Sequence, residues 1–253
     1  DCFNAAIEAF TIATKYMTPV ILLSDGYLAN GSEPWRLPDF DQLPKIQITH
    51  PTQANDPRGF MPYLRNADLV RPWAIPGAEG LEHRIGGLEK QDITGGVSYD
   101  PLNHEHMIRI RAEKVAGIKP AGEDLILTGP STGKVLVIGW GSTFGAIKAA
   151  TLDMQQQGVE VSAAHIRYIN PLPSRLPQLC KNFQHVIVPE MNRGQLLMML
   201  RSNFLIDAKP LTKVRGQPFT INEIKRGIQQ ILAGENPKLE TVITDSNSIG
   251  GGG

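Results

Sequence analysis

The stretch Val137-Ile138-Gly139-Trp140-Gly141-Ser142-Thr143-Phe144-Gly145 (VIGWGSTFG) decides how the second half of this chain reads. An apolar run ends in three closely spaced glycines, and a helical pattern follows at once. A strand turning through glycine into a helix opens many α/β sheets, and such a turn can also hold a nucleotide phosphate on the helix N-terminus. The residues argue against that second use. The third glycine of a dinucleotide fingerprint belongs at position 144, which is Phe, and Gly145 comes one residue late. No acid follows about 20 positions on to hold a ribose; the next strand instead leads into His165, Arg167 and Tyr168. Bases there suit a 2′-phosphate, so an NADP-binding domain stays as an alternative. A glycine turn that lets helix pack tightly on sheet, with no ligand, is the better reading.

Working outward, Lys134 begins an alternation of strands and helices: strands at 135–138, 159–166 and 186–188, helices at 146–157, 176–183 and 195–206. Alternation of this kind means parallel strands joined by right-handed crossovers, with helices on both faces. Thr220 with Glu223 three residues later forms a capping-box signature, followed by Ile224, Ile228 and Ile231 on one helical face. Residues 131–253 are therefore expected to form an α/β domain, whose glycine-rich tail Asp245–Gly253 reads as frayed.

The chain opens at Asp1 with a helical pattern that Thr18-Pro19 should stop, ahead of a predicted strand Val20–Leu23. One helix and one strand cannot bury each other's apolar faces, and a lone strand needs ladder partners. Residues 1 to about 35 are expected to complete a sheet begun upstream or in another subunit. A proline-rich run from Glu33 to Arg58, then Arg71–Gly77, reads as an ordered connecting arm lying on a partner surface. Asn103 is positioned to cap a helix from His104 to about Val115.

Composition narrows the chemistry. Lys+Arg and Asp+Glu stand at 25 each, so no global field gathers nucleic acid or an anionic membrane. The absence of an apolar run near the roughly 20 residues that span a bilayer, and of a secretory pattern, predicts a soluble, cytoplasmic protein. Cys2 and Cys180 belong to no metal or disulfide spacing. His104-Glu105-His106 suggests zinc only superficially, because residues two apart on a helix point to different faces. Glu190 and Asn192 end the third strand, the edge where open sheets meet ligands or partners. Asn192 reads as a helix cap and Glu190 as either a salt-bridge partner or a functional group. In the loop Gly80–Glu89, His83 and Arg84 lie among three glycines, as a mobile cover over an anionic substrate would require, or else Arg84 simply pairs with Glu82 or Glu89. No nucleophile–base–acid set, P-loop or metal cluster is legible, so the residues alone derive no reaction.

Six blocks together resemble the alpha subunit of 2-oxoacid:ferredoxin oxidoreductases, most of all the 2-oxoglutarate branch: SDGYLANGSEPW at 24–35, RPWAIPGAEGLEHRIGGLEK at 71–90, VSYDPLNHEHM at 97–107, VIGWGSTFGAIKAA at 137–150, YINPLP at 168–173 and VPEMNRGQLLMMLR at 188–201. The resemblance implies the C-terminal portion of that subunit. It would hold the end of a thiamine-diphosphate pyrimidine-binding domain and arm at 1–70, a connecting segment with a possible active-site loop at 71–130, and a transketolase C-terminal-like domain at 131–253. The implied reaction is oxidative decarboxylation of a 2-oxoacid to acyl-CoA, with electrons passed through an iron–sulfur cluster to ferredoxin. Thiamine diphosphate, Mg and a [4Fe-4S] cluster would be held in the complete enzyme with its beta subunit, coenzyme A would be co-substrate, and this chain would be inactive alone. The family's Tyr-Pro-Ile-Thr-Pro motif, its substrate-carboxylate arginine and its cofactor-activating glutamate have no match here. The resemblance also assigns the His83-Arg84 loop to the active-site mouth. A non-catalytic α/β interaction module is the rival from another class.

Overall fold

The computed structural model describes residues 1–120 and 122–239; the glycine-rich tail lies outside the described residues. The chain divides into two compact units, Asp1–Glu123 with Tyr168–Pro171, and Asp124–Arg167 with Leu172–Gly253.

The first unit is mostly irregular. Helix α1 (Cys2–Tyr16) ends at Met17, whose left-handed backbone lets its N–H reach the carbonyl of Ala13. Its buried residues are Ile12 and Tyr16, and the Tyr16 hydroxyl accepts from the amide of Lys119. The predicted strand at Val20–Leu23 forms no ladder with any described residue, and Ile21, at 83% exposed, has no apolar cover. The physical reason is the one that made it suspect as a lone strand: backbone pairing needs a neighbour. Helix α2 (Gly26–Asn30) is one short turn capped by Asp25. Between residues 31 and 100 regular structure is limited to a 3-10 turn at Phe40–Gln42 and isolated bridges such as Tyr63 with Ile93 and Lys90 with Val97. Helix α3 (Pro101–Ala116) starts earlier than the sequence suggests. Asp100 caps it by accepting from the amide of Leu102, and Pro101 occupies the first turn, where its missing N–H costs nothing.

The second unit is a five-stranded sheet in the order β1-β3-β2-β4-β5: β1 (Leu125–Thr128), β2 (Gly133–Trp140), β3 (Val161–Ile166), β4 (Phe183–Glu190) and β5 (Ala208–Thr212). β2 pairs in parallel with β3 and β4, β4 with β5, and only β1 runs antiparallel, against β3. Val135 to Ile138 are fully buried, as a central parallel strand covered on both faces requires. The two strands that the alternation does not announce are the edges. β5 carries Pro210, which lacks a ladder donor and is tolerated because β4 is its one neighbour among the described residues.

Helices α4 (Phe144–Gln156) and α7 (Ile221–Leu232) pack together on one face. Their core joins Ile147, Met154, Ile224, Ile228 and Ile231 to Val135, Val137 and Ile187 of the sheet. Each such side chain contributes about 1.5–3 kcal/mol by leaving water. The right-handed crossover rule puts α5 (Leu176–Cys180) and α6 (Gln195–Phe204) on the opposite face. The capping box at α7 is present as read: the Glu223 amide donates to Thr220 Oγ1 and the Thr220 amide to Glu223 Oε2.

Candidate functional site

The glycine turn after β2 is built for packing. A Cβ on Gly139 would lie 2.3 Å from Ile147 Cδ1 and 2.9 Å from Thr143 Oγ1, so the absence of a side chain is what lets α4 sit close to the strand. Thr143 Oγ1 accepts from the Trp140 amide at 3.2 Å and donates to the Trp140 carbonyl at 2.7 Å, using the turn's polar groups internally. Of the two bases that kept NADP in view, His165 and Arg167, the first packs its ring on Phe144 at 4.8 Å, and the neighbouring Tyr168 donates its hydroxyl to Glu8 at 2.7 Å. These contacts favour the packing reading.

Glu190 ends β4 fully buried. Its carboxylate accepts from the amides of Leu196 (2.8 Å) and Leu197 (3.0 Å), from Asn192 Nδ2 (3.1 Å) and from Trp140 Nε1 (3.3 Å). It therefore holds the N-terminus of α6 and ties it to the end of β2, where the helix dipole also favours a negative charge. The N-cap of α6 is Gly194 and not Asn192, whose Oδ1 instead braces the approach to the helix by accepting from the amides of Gly194 and Gln195.

The loop Gly80–Glu89 is clamped at both feet and open between them. Leu81 is 2% exposed, and His83 Nδ1 lies 2.9 Å from the Leu81 carbonyl while its ring meets Phe60 edge-on at 5.3 Å. At the other foot Lys90 is buried, and its ammonium donates to the carbonyls of Gly86 and Leu88. The Lys90 carbonyl in turn accepts from Asn103 Nδ2, while Asn103 Oδ1 accepts from the amide of Asp92. Asn103 is thus a clamp inside α3 and not its cap, a role taken by Asp100. Arg84 to Leu88 are exposed, and Gly86 adopts φ +142, a backbone conformation closed to most L side chains.

Two acids at the second foot of this loop, Glu89 and Asp92, are already taken. Glu89 pairs with His104 Nδ1 at 2.5 Å and Arg111 at 3.4 Å; the His104 hydrogen bond is the main force holding its carboxyl below the usual range. Asp92 binds Arg65 and, at 2.9 Å, His106 Nε2; burial alone would raise its pKa, and these two partners together lower it. His104 and His106 therefore serve separate carboxylates, and the described residues contain no group of three metal-ligating side chains. Arg84 pairs with neither Glu82 nor Glu89 and has no carboxylate partner among the described residues. Lys90, Asp92 and Asn103 were not legible as part of this loop; the only local signal, Asp100-Pro101 as a helix start, would have freed Asn103 for another role.

Comparison with known proteins bears on both halves of the chain. Residues 1–97 match the model of a family described as pyruvate flavodoxin/ferredoxin oxidoreductase, thiamine diphosphate-binding. The chain is 46% identical over 242 residues to the 2-oxoglutarate oxidoreductase subunit KorA of Mycobacterium tuberculosis, an alignment covering 95% of this chain and 36% of that protein. It is 32% identical to the alpha subunit of 2-oxoacid:ferredoxin oxidoreductase 2 of Aeropyrum pernix, over 92% of this chain and 37% of that one. A solved structure, 2-oxoglutarate:ferredoxin oxidoreductase from Magnetococcus marinus with 2-oxoglutarate, coenzyme A and succinyl-CoA bound, superposes with a TM-score of 0.77 at 30% identity, over 87% of this chain and 38% of that chain. The chain spans little more than a third of the length of these relatives. No described helix is long and apolar enough to cross a membrane. With an α/β sheet begun by the VIGWGSTFG turn, the chain is similar almost from end to end to alpha subunits of 2-oxoacid:ferredoxin oxidoreductases, most of all to the 2-oxoglutarate enzymes.

Proposed function

We propose that this chain works as part of the alpha subunit of a cytoplasmic 2-oxoglutarate:ferredoxin oxidoreductase, which decarboxylates 2-oxoglutarate, passes electrons to ferredoxin and forms the acyl-CoA. The observation that carries the reading is 46% identity to KorA over 95% of the chain. Thiamine diphosphate supplies the decarboxylation chemistry in such an enzyme. The residues of this chain do not fit the inorganic groups: two cysteines, Cys2 and Cys180, fall short of the four thiolates of a [4Fe-4S] cluster, and the described residues hold no three-ligand metal group. The beta subunit is the expected holder.

The chain's own contribution is substrate approach. Arg84 carries an uncommitted guanidinium on an exposed tip whose two feet are fixed by Leu81 and Lys90, and His83 sits beside it, half-buried against Phe60. A planar fork of donors suits a carboxylate, and a dianionic substrate offers a distal one. Segments 1–70, 71–130 and 131–253 keep their proposed roles as pyrimidine-domain end with arm, loop-bearing connection and transketolase-like domain.

The test is reconstitution. This chain is co-expressed with the remaining alpha-subunit sequence and the beta subunit of a relative, and coenzyme A-dependent reduction of ferredoxin by 2-oxoglutarate is measured. Activity that requires all parts is the expected result; turnover by this chain alone, or an assembly indifferent to 2-oxoglutarate, overturns the proposal.

A further inference from the structure

One cavity of the first unit has no part in that reading. It measures about 470 Å³ and lies between the C-terminal turns of α1 and the segments 45–49 and 64–73. Its size is that of a small-molecule site. Three cations line it, Lys15, Lys45 and Arg71, and no carboxylate does. Lys15 stands 5.0 Å over the ring of Tyr16 and Arg71 5.5 Å over that of Tyr63, and none of the three has an acidic partner among the described residues. Positive charge continues behind the wall. Lys114 donates to the carbonyl of Met17, and its pKa is lowered by burial and then by Arg65, Arg71 and Arg111. Arg65 and Arg111 are paired with Asp92 and Glu89, whereas Lys15, Lys45 and Arg71 have no acidic partner among the described residues, and a bound polyanion relieves the repulsion among these three.

Neutral groups complete the lining. Asn66 Oδ1 accepts from the amides of Asp68 and Val70, which leaves its NH2 donors for another partner. Trp73 is 38% exposed and borders the cavity; His50 meets its ring edge-on at 6.1 Å and binds its carbonyl at 2.7 Å, fixing the residue in place. A guanidinium fork and two ammonium groups match phosphate oxygens, and an indole face suits a planar ring.

We infer that this pocket binds a phosphate-bearing small molecule of nucleotide size, its phosphates on Lys15, Lys45 and Arg71 and its ring against Trp73. The inference does not rest on 2-oxoacid chemistry, so it can fail or hold independently of the proposed function.

The test titrates ADP, inorganic pyrophosphate and adenosine separately into the 253-residue chain, read by calorimetry and tryptophan fluorescence. ADP is expected to saturate below millimolar concentration, pyrophosphate more weakly, and adenosine at least ~10-fold more weakly than ADP. Raising ionic strength from about 0.05 to about 0.5 M should weaken ADP by about 10-fold or more, since a partly open pocket is screened. Arg71→Ala and Lys45→Ala should each cost roughly 10-fold in ADP affinity, while Lys181→Ala, in the other unit, should cost nothing. Arg71 also packs on Tyr63, so Lys45→Ala, on an exposed segment, decides the matter if Arg71→Ala fails to fold. Absence of saturation at millimolar ADP, equal binding of ADP and adenosine, or unchanged ADP binding in Lys45→Ala overturns the inference.

Discussion

Trp140 at the end of β2 donates its indole N–H to Glu190 at the end of β4, 3.3 Å away, and the same buried carboxylate accepts from the first amides of α6. One side chain therefore joins two central strands to a helix N-terminus. Glu190→Ala strands several buried donors and should lower stability by about 2–4 kcal/mol. Glu190→Gln turns one acceptor into a donor facing N–H groups and should cost about 1–2 kcal/mol. Urea unfolding of the three proteins checks both values and their order.

The glycines of the β2–α4 turn should separate sharply on substitution. Gly139→Ala drives a methyl into Ile147 and Thr143, and overpacking of this kind costs about 1–3 kcal/mol. Gly145→Ala meets nothing within 4 Å on a helical backbone and should be neutral or stabilising by up to about 1 kcal/mol. Thermal unfolding of the pair tests whether packing or ligand space explains this turn.

His165 makes stability depend on pH. Burial, and then Arg167, lower its pKa from 6.5 to about 4, so the folded state prefers the neutral imidazole. Between those values protons bind the unfolded chain more readily. The contribution is complete above pH 6.5 and falls as pH drops towards about 4, by up to ~3 kcal/mol. Urea midpoints measured from pH 7 to 4 should fall less steeply in His165→Leu than in the parent chain; equal slopes would remove the assignment.

Lys90 should govern the loop more than any residue on it. Lys90→Ala removes the donor that holds the carbonyls of Gly86 and Leu88. Amide exchange across 83–89 should speed by about 10-fold or more, equivalent to the net loss of one or two hydrogen bonds. Exchange in the β2 and β4 strands should stay as it was, a contrast visible by mass spectrometry.

In the reconstituted enzyme Arg84→Ala should reduce kcat/KM for 2-oxoglutarate by about 10- to 150-fold, the value of a charge-assisted contact of about 1.5–3 kcal/mol. An uncharged 2-oxoacid such as 2-oxobutyrate should be affected far less. Equal losses on both substrates would leave the loop a structural role only.

The central parallel sheet, the glycine turn and the capping box at Thr220 were legible before any coordinates because each is a local constraint: a buried strand is apolar throughout, a close helix forbids a Cβ, and a cap acts over three residues. The edge strands β1 and β5 were not, since a short antiparallel edge and one holding Pro210 are defined by the neighbour they meet. Val20–Leu23 has the composition of a strand without a ladder in the described residues, because pairing is not a property of one segment. Sequence alone, then, determined the α/β class, the family resemblance and the interest of His83 and Arg84. Tertiary structure alone decided that Arg84 has no carboxylate partner among the described residues while Glu89 is occupied, that Asn103 clamps Lys90 from 13 residues away, and that Glu190 is a helix anchor reached by Trp140 from 50 residues away. Such pairings carry no periodicity along the chain, for they depend on which side chains the fold brings within hydrogen-bond reach and shields from water.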